Sequence, residues 1–183
     1  MSGLGAVGSS PSHCQRDLLR VLQKPVGTPN LYHAKIPLRN GAGDVEWCWH
    51  PFFLPHELFD TLWQERREFF DAHVRGSSAE RKQLWLYLAQ KSFLKKVVTQ
   101  ETDYDTTVPV GLHCDAGAVS DRNSLYVLTW NSLVGQGSTT QKRFVITVLP
   151  KTRLVKDGST LDAIWKVVAW SLKALQTGRS IEF

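Results

Sequence analysis

The feature that most constrains this chain is a change of period in its C-terminal half. Three runs rich in Val, Ile, Leu, Tyr, Phe and Thr, at 108–115, 125–130 and 143–149, read as strands. "VGQGSTTQ" separates the last two, and its Gly135 and Gly137 mark a hairpin-type loop. Beyond Ser159 the period lengthens from two to 3.6. Leu161, Ile164, Trp165, Val168, Leu172 and Leu175 fall on one helical face. Ser159 is the expected cap, Asp162 lies in the acidic first turn, and Gly178 is a natural stop. The order β-β-β-α predicts an α+β fold, a three-stranded antiparallel sheet covered by a helix over 160–177. The face of that helix should be Leu161, Ile164, Trp165, Val168 and Leu172.

The N-terminal half reads differently. Residues 1–14 are Gly/Ser-rich and expected to be disordered. A short helix at 15–24 should end at Pro25. From 25 to 51 the chain carries four Pro and three Gly, which predicts irregular structure with one short strand at 31–36. "LPHELFDTLWQERREFFDAHV" then has helical spacing, with Pro55 suited to a first turn. "RGSS" breaks it, and Ser77 with Glu80 forms a capping-box pair for a second helix at 79–98. The two should pack as a helical hairpin through Leu58, Leu62, Phe69, Leu84, Trp85 and Leu88. The expected organisation is therefore a disordered 1–14, a mainly helical 15–100, and a β-β-β-α region at 101–183 that reads as truncated.

Composition narrows the function classes. Hydrophobic content of 42% and charged content of 21% suit a packed core. The net charge is +5 with a pI near 9.2, which permits DNA or another polyanion as partner. No basic run exceeds two residues, and pairs such as Arg66-Arg67 and Arg81-Lys82 read as solvated surface. Seven Trp serve equally as core or as stacking platforms for bases. Three Cys without a repeat spacing argue against a disulfide framework and for a reducing, intracellular setting, nuclear or cytoplasmic. No apolar run approaches the ~18 residues of a membrane span, and the N-terminus lacks a secretory pattern. Gly-rich phosphate loops and the GxSxG turn are absent, so no small-molecule substrate is evident.

Two clusters are candidates for chemistry. His113 and Asp115 stand two apart on a strand and share one face, while Cys114 points to the other, where Leu112 and Cys114 should join the apolar side. A His-x-Asp pair is half of a non-haem iron triad, but no His follows Asp115. Asp115 alone is too little for two Mg²⁺ ions, which need at least two acids. The plainer alternative is that Asp115 ends its strand and accepts hydrogen bonds from the backbone of "AGAV". The second cluster is Cys48, His50 and His56, with His33 or Cys14 as a fourth ligand. Its spacing matches no common zinc pattern, and its aromatic surroundings favour packing.

"FFLPHELF", "LHCDAG", "LTWNSLVG" and "LDAIWKVVAWSLKALQTG" resemble a large family of transposon-like proteins abundant in dinoflagellate genomes, over about 17–178. Cys114 stands where the family pattern has Gly. A β-β-β-α unit with an Asp on its first strand is also similar to the start of the ribonuclease H-like core of DDE-type transposases. That resemblance implies a catalytic, Mg-binding Asp115 with His113 beside it, and DNA as partner. The other two acids of such a site have no matching positions, so the expectation is a transposable-element-derived protein with an incomplete, inactive core. The alternative is a non-enzymatic nucleic-acid-associated or protein-interaction module.

Overall fold

The computed structural model of the protein describes residues 30–91, 103–120, 123–138 and 142–178. The segments expected to be disordered (1–14) and helical (15–24) lie outside these residues, as does the end of the helix expected at 79–98.

The described chain begins with a hairpin. Leu31–Arg39 (β1) pairs antiparallel with Val45–Phe53 (β2). This corrects the irregular segment, with one short strand at 31–36, expected within a mainly helical 15–100. The prolines misled because their positions are harmless. Pro37 lies opposite Trp47 and Pro51 opposite His33, at the same parity of the ladder. Their carbonyls leave the ribbon, Pro37 accepting from Thr160 Oγ1 at 2.7 Å and Pro51 from Thr147 Oγ1 at 3.0 Å. Backbone groups at these positions face away from the partner strand, so a missing N–H removes no ladder bond. Asn40 closes the turn, its Oδ1 accepting from the amides of Ala42 and Asp44 at 3.0 and 2.9 Å, with Gly43 at φ +97.

Pro55–Glu65 (α1) follows, with its Pro in the first turn as expected. Arg66 interrupts it, and Arg67–Phe70 (α2) runs into a π-helical turn at Asp71–Arg75. Gly76 stops that turn. Ser77 opens Ser78–Ala89 (α3) with a reciprocal box: Ser77 Oγ accepts from Glu80 N at 3.2 Å and Glu80 Oε2 from Ser77 N at 2.9 Å. The break and the box are where the sequence puts them, but among the described residues the expected helical hairpin is not formed. Leu58, Leu62 and Phe70 enter the core, whereas α3 buries only Arg81 and leaves Leu84, Trp85 and Leu88 half-buried. Apolar or aromatic residues at all five consecutive positions 84–88, followed by Ala89, give α3 no single core face.

Val110–Ser120 (β3), Asn123–Ser132 (β4) and Arg143–Pro150 (β5) form one antiparallel sheet in consecutive order, as expected. Ser159–Thr177 (α4) completes the β-β-β-α run. Its cap is Gly158, at φ +87, rather than Ser159, and Gly178 ends it at φ +62. The buried face is Thr160, Ile164, Val167, Val168, Ser171 and Ala174, which leaves Trp165 exposed. The helix is turned from the expected face because its nearest backbone neighbours are β1 and α1, not the three-stranded sheet. Small Ser171 lets α1 approach closely, with His56 Nδ1 2.9 Å from its Oγ. One core joins both sheets with α1, α2 and α4, through residues such as Ile36, Phe52, Leu62, Phe70, Trp130 and Ile164. The class is α+β, and among the described residues no helix is long and apolar enough to cross a membrane.

Candidate functional site

The hairpin turns its two Trp outward. Strand alternation sends Tyr32, Ala34, Ile36 and Leu38 of β1, with Cys48, His50 and Phe52 of β2, toward the core. The opposite face carries Leu31, His33 and Lys35 on β1 and Val45, Trp47 and Trp49 on β2, all exposed. Trp47 and Trp49 retain 67% and 65% of their surface in solvent, against 1% for Trp130 in the core. Lys35 lies directly across from Trp49, with Nζ 5.4 Å from the ring centroid, a cation–π contact. Arg39 stands at the end of the same row, opposite Val45. An exposed apolar row rimmed by cations is the kind of surface that binds something. Sequence reasoning missed it by treating 25–51 as irregular. The signal was present: Asn40-Gly41 is a turn dipeptide, and Val45, Trp47 and Trp49 alternate with polar residues.

A groove of about 1000 Å³ opens at the hairpin tip, between Arg39–Gly43 and the ends of β4 and β5. Its Arg153 guanidinium is already engaged. Arg153 donates from Nε to the Arg39 carbonyl at 3.2 Å and approaches Glu46 at 3.5 Å.

His113 and Asp115 share a face, as alternation requires, opposite Thr129 and Val127 on β4. The strand continues to Ser120, so Asp115 sits in mid-strand and not at its end. Its Oδ1 accepts from the Ala116 amide at 2.7 Å, a single bond to the next residue of "AGAV". Among the described residues no three of His, Cys, Asp and Glu come together at metal-ligand range. Cys114 and Leu112 do not join a covered apolar side, because 112–117 is exposed on both faces of β3. Cys114 instead meets Tyr126, whose hydroxyl is pushed up by burial and by its hydrogen bond with that thiol.

Cys48, His50 and His56 go to separate partners. His50 is buried, and its Nε2 lies 2.6 Å from Thr147 Oγ1. The Thr147 hydroxyl gives its one proton to the Pro51 carbonyl, so Nε2 of His50 must donate. Burial, with Arg153 and His33 nearby, lowers the His50 pKa from 6.5 to about 4. Cys48 shares that face, its Sγ 3.6 Å from Arg153. His56, on α1, bonds Ser171 through Nδ1, and burial lowers its pKa against the opposing pull of Glu57 and Asp60. Ser171 is fully buried and also accepts from the His56 amide at 3.3 Å, so it ties α4 to the start of α1 and is not an accessible nucleophile. His33 is on the outer hairpin face, opposite to that of Cys48 and His50.

Compared with protein families, curated proteins and solved structures, the chain matches none.

Proposed function

We propose that the protein is a binding module for single-stranded nucleic acid, with the outer face of the β1–β2 hairpin as its platform. The observation that carries this reading is the pair of adjacent, two-thirds exposed indoles, Trp47 and Trp49, with Lys35 over one of them. Residues two apart on a strand stand roughly 6.6 Å apart along it. That spacing offers successive rings to successive unstacked bases, each stack worth about 1–3 kcal/mol. Lys35 and Arg39 supply charge for the phosphates, and the chain's net charge of +5 has the same sign. Stacking tolerates any base, so the binding is expected to be weakly sequence-selective.

A salt series tests it. Affinity for a short oligothymidylate should fall with log salt, with a slope reduced by about 0.7 in Lys35→Ala. Trp47→Ala and Trp49→Ala should each weaken binding by about tenfold. Affinity that is independent of both Trp would move nucleic-acid binding to another surface, and no affinity at low salt would leave this face to a protein occupant.

A second reading is favoured by one observation, the order β3-β4-β5-α4 with Asp115 on the first strand. It is the transposable-element-derived, ribonuclease H-like core, catalytically incomplete. In that reading Asp115 and His113 would contact Mg²⁺, and saturable Mg²⁺ or Mn²⁺ binding abolished by Asp115→Asn supports it. No binding leaves Asp115 as a strand residue only.

A further inference from the structure

Among the described residues β3 is an edge strand, and its middle lacks the usual protection. Among the described residues it pairs with β4 alone, and 112–117 is exposed on both faces. By contrast β5, at the other edge, is approached by β2 through Thr147. Edge strands are normally blunted by Lys, Pro or bulges, because a row of free N–H and C=O groups templates a new strand. Here Pro109 lies just before β3, and a register shift falls between Ala118 and Ser120. Between them runs "VGLHCDAGA" without a Lys, an Arg or a Pro.

That stretch is self-complementary. An antiparallel pair of identical strands related by a two-fold axis perpendicular to the sheet keeps each face on its own side. The axis then runs midway between the two copies of one residue, which oppose each other, and each candidate centre makes a different set of pairs. Centred on His113 it opposes His113 to His113, and centred on Asp115 it opposes two carboxylates. Centred on Cys114, it places His113 opposite the other copy's Asp115, twice. On the same face Gly111 meets Gly117, and on the other face Leu112 meets Ala116, large against small. Only this centre of the three puts opposite polarity across the seam and like charge nowhere.

We propose that the partner of the β3 edge is a second copy of this chain, paired antiparallel about Cys114, which makes one continuous six-stranded sheet. His113 donates from its ring to the Asp115 carboxylate of the other copy. Asp115 exchanges its local bond to the Ala116 amide for that contact. The proposal does not depend on nucleic-acid binding, since the hairpin platform lies on β1 and β2.

Sedimentation equilibrium of the full chain tests it, with charge swaps at the two exposed positions. The wild type should show a concentration-dependent dimer. His113→Asp sets carboxylates against each other and should raise the dimer Kd about tenfold or more. Asp115→His should weaken it as well. The double variant H113D/D115H restores both opposite pairs and should recover dimerisation to within about threefold of wild type. Circular dichroism should be the same for all four proteins, because neither side chain is buried. A monomer at about 100 µM, far above a micromolar Kd, overturns the proposal. So does a dimer that His113→Asp leaves intact, or a swap that fails to restore association in a folded chain.

Discussion

Arg81 and Lys82 look alike in the sequence, and only one of them is on the surface. Arg81 is 2% exposed, and its guanidinium is held by main-chain carbonyls. Nη1 donates to Arg75 and Gly76 at 3.0 and 2.7 Å, while Nε and Nη2 both donate to the Asp105 carbonyl, Nε at 2.8 Å. It thereby ties α3 to the end of the π-helical turn and to the segment before β3. Arg81→Ala should cost about 2–4 kcal/mol in urea unfolding, and Arg81→Lys should not restore it, because an ammonium lacks the planar fork. Nothing in a basic dipeptide announces this role, since it depends on carbonyls brought together by the fold. His50 makes a second prediction. With its folded pKa near 4 and an unfolded value near 6.5, the unfolded chain binds more protons between these values. Stability from a neutral His50 is therefore full above about pH 6.5 and lost as pH falls toward 4, by up to about 3 kcal/mol. Denaturation at pH 7 and 4.5 should show the drop, and His50→Gln, which keeps a donor near Nε2, should flatten it.

At the scale of elements, legibility followed periodicity. The three strands of the sheet and α4 stand out because β-rich runs and the 3.6-residue repeat are both clean; their ends moved, and the buried face of α4 turned away from Trp165. The Ser77 box was legible because it is local. The hairpin was not, because its alternation is inverted: Trp47 and Trp49 face solvent while Cys48 and His50 face the core. Pro37 and Pro51 added to the disguise by sitting where no ladder bond is lost. Contacts between distant elements were illegible for a further reason, that they require backbone proximity no pattern encodes. Gly76 and Gly135 show this. A Cβ on Gly135 would stand 2.7 Å from the His73 carbonyl oxygen, and Gly135 has φ +88. There the loop after β4 lies against the π-helical turn, with Gln136 N donating to the Ala72 carbonyl at 2.8 Å. Gly135→Ala should lower the urea midpoint by the equivalent of about 2–4 kcal/mol with an unchanged m-value.

Over the whole molecule, the two candidate surfaces separate. His113 and Asp115, prominent in the sequence, lie on an exposed edge strand with no third ligand among the described residues. The strongest binding geometry lies on the N-terminal hairpin, backed by a core that joins β2 to β5 and β1 to α4. That backing fixes the strands that carry Trp47 and Trp49 while both rings stay in solvent. The central claim is that Trp47 and Trp49 stack on bases, and intrinsic tryptophan fluorescence during titration with a short single-stranded oligonucleotide tests it most directly. Stacking predicts saturable quenching in the wild type, and its loss in a Trp47→Ala/Trp49→Ala double variant whose circular dichroism and unfolding midpoint are unchanged. Quenching and affinity that persist in that folded double variant would contradict the account and move nucleic-acid binding, if present, to another surface.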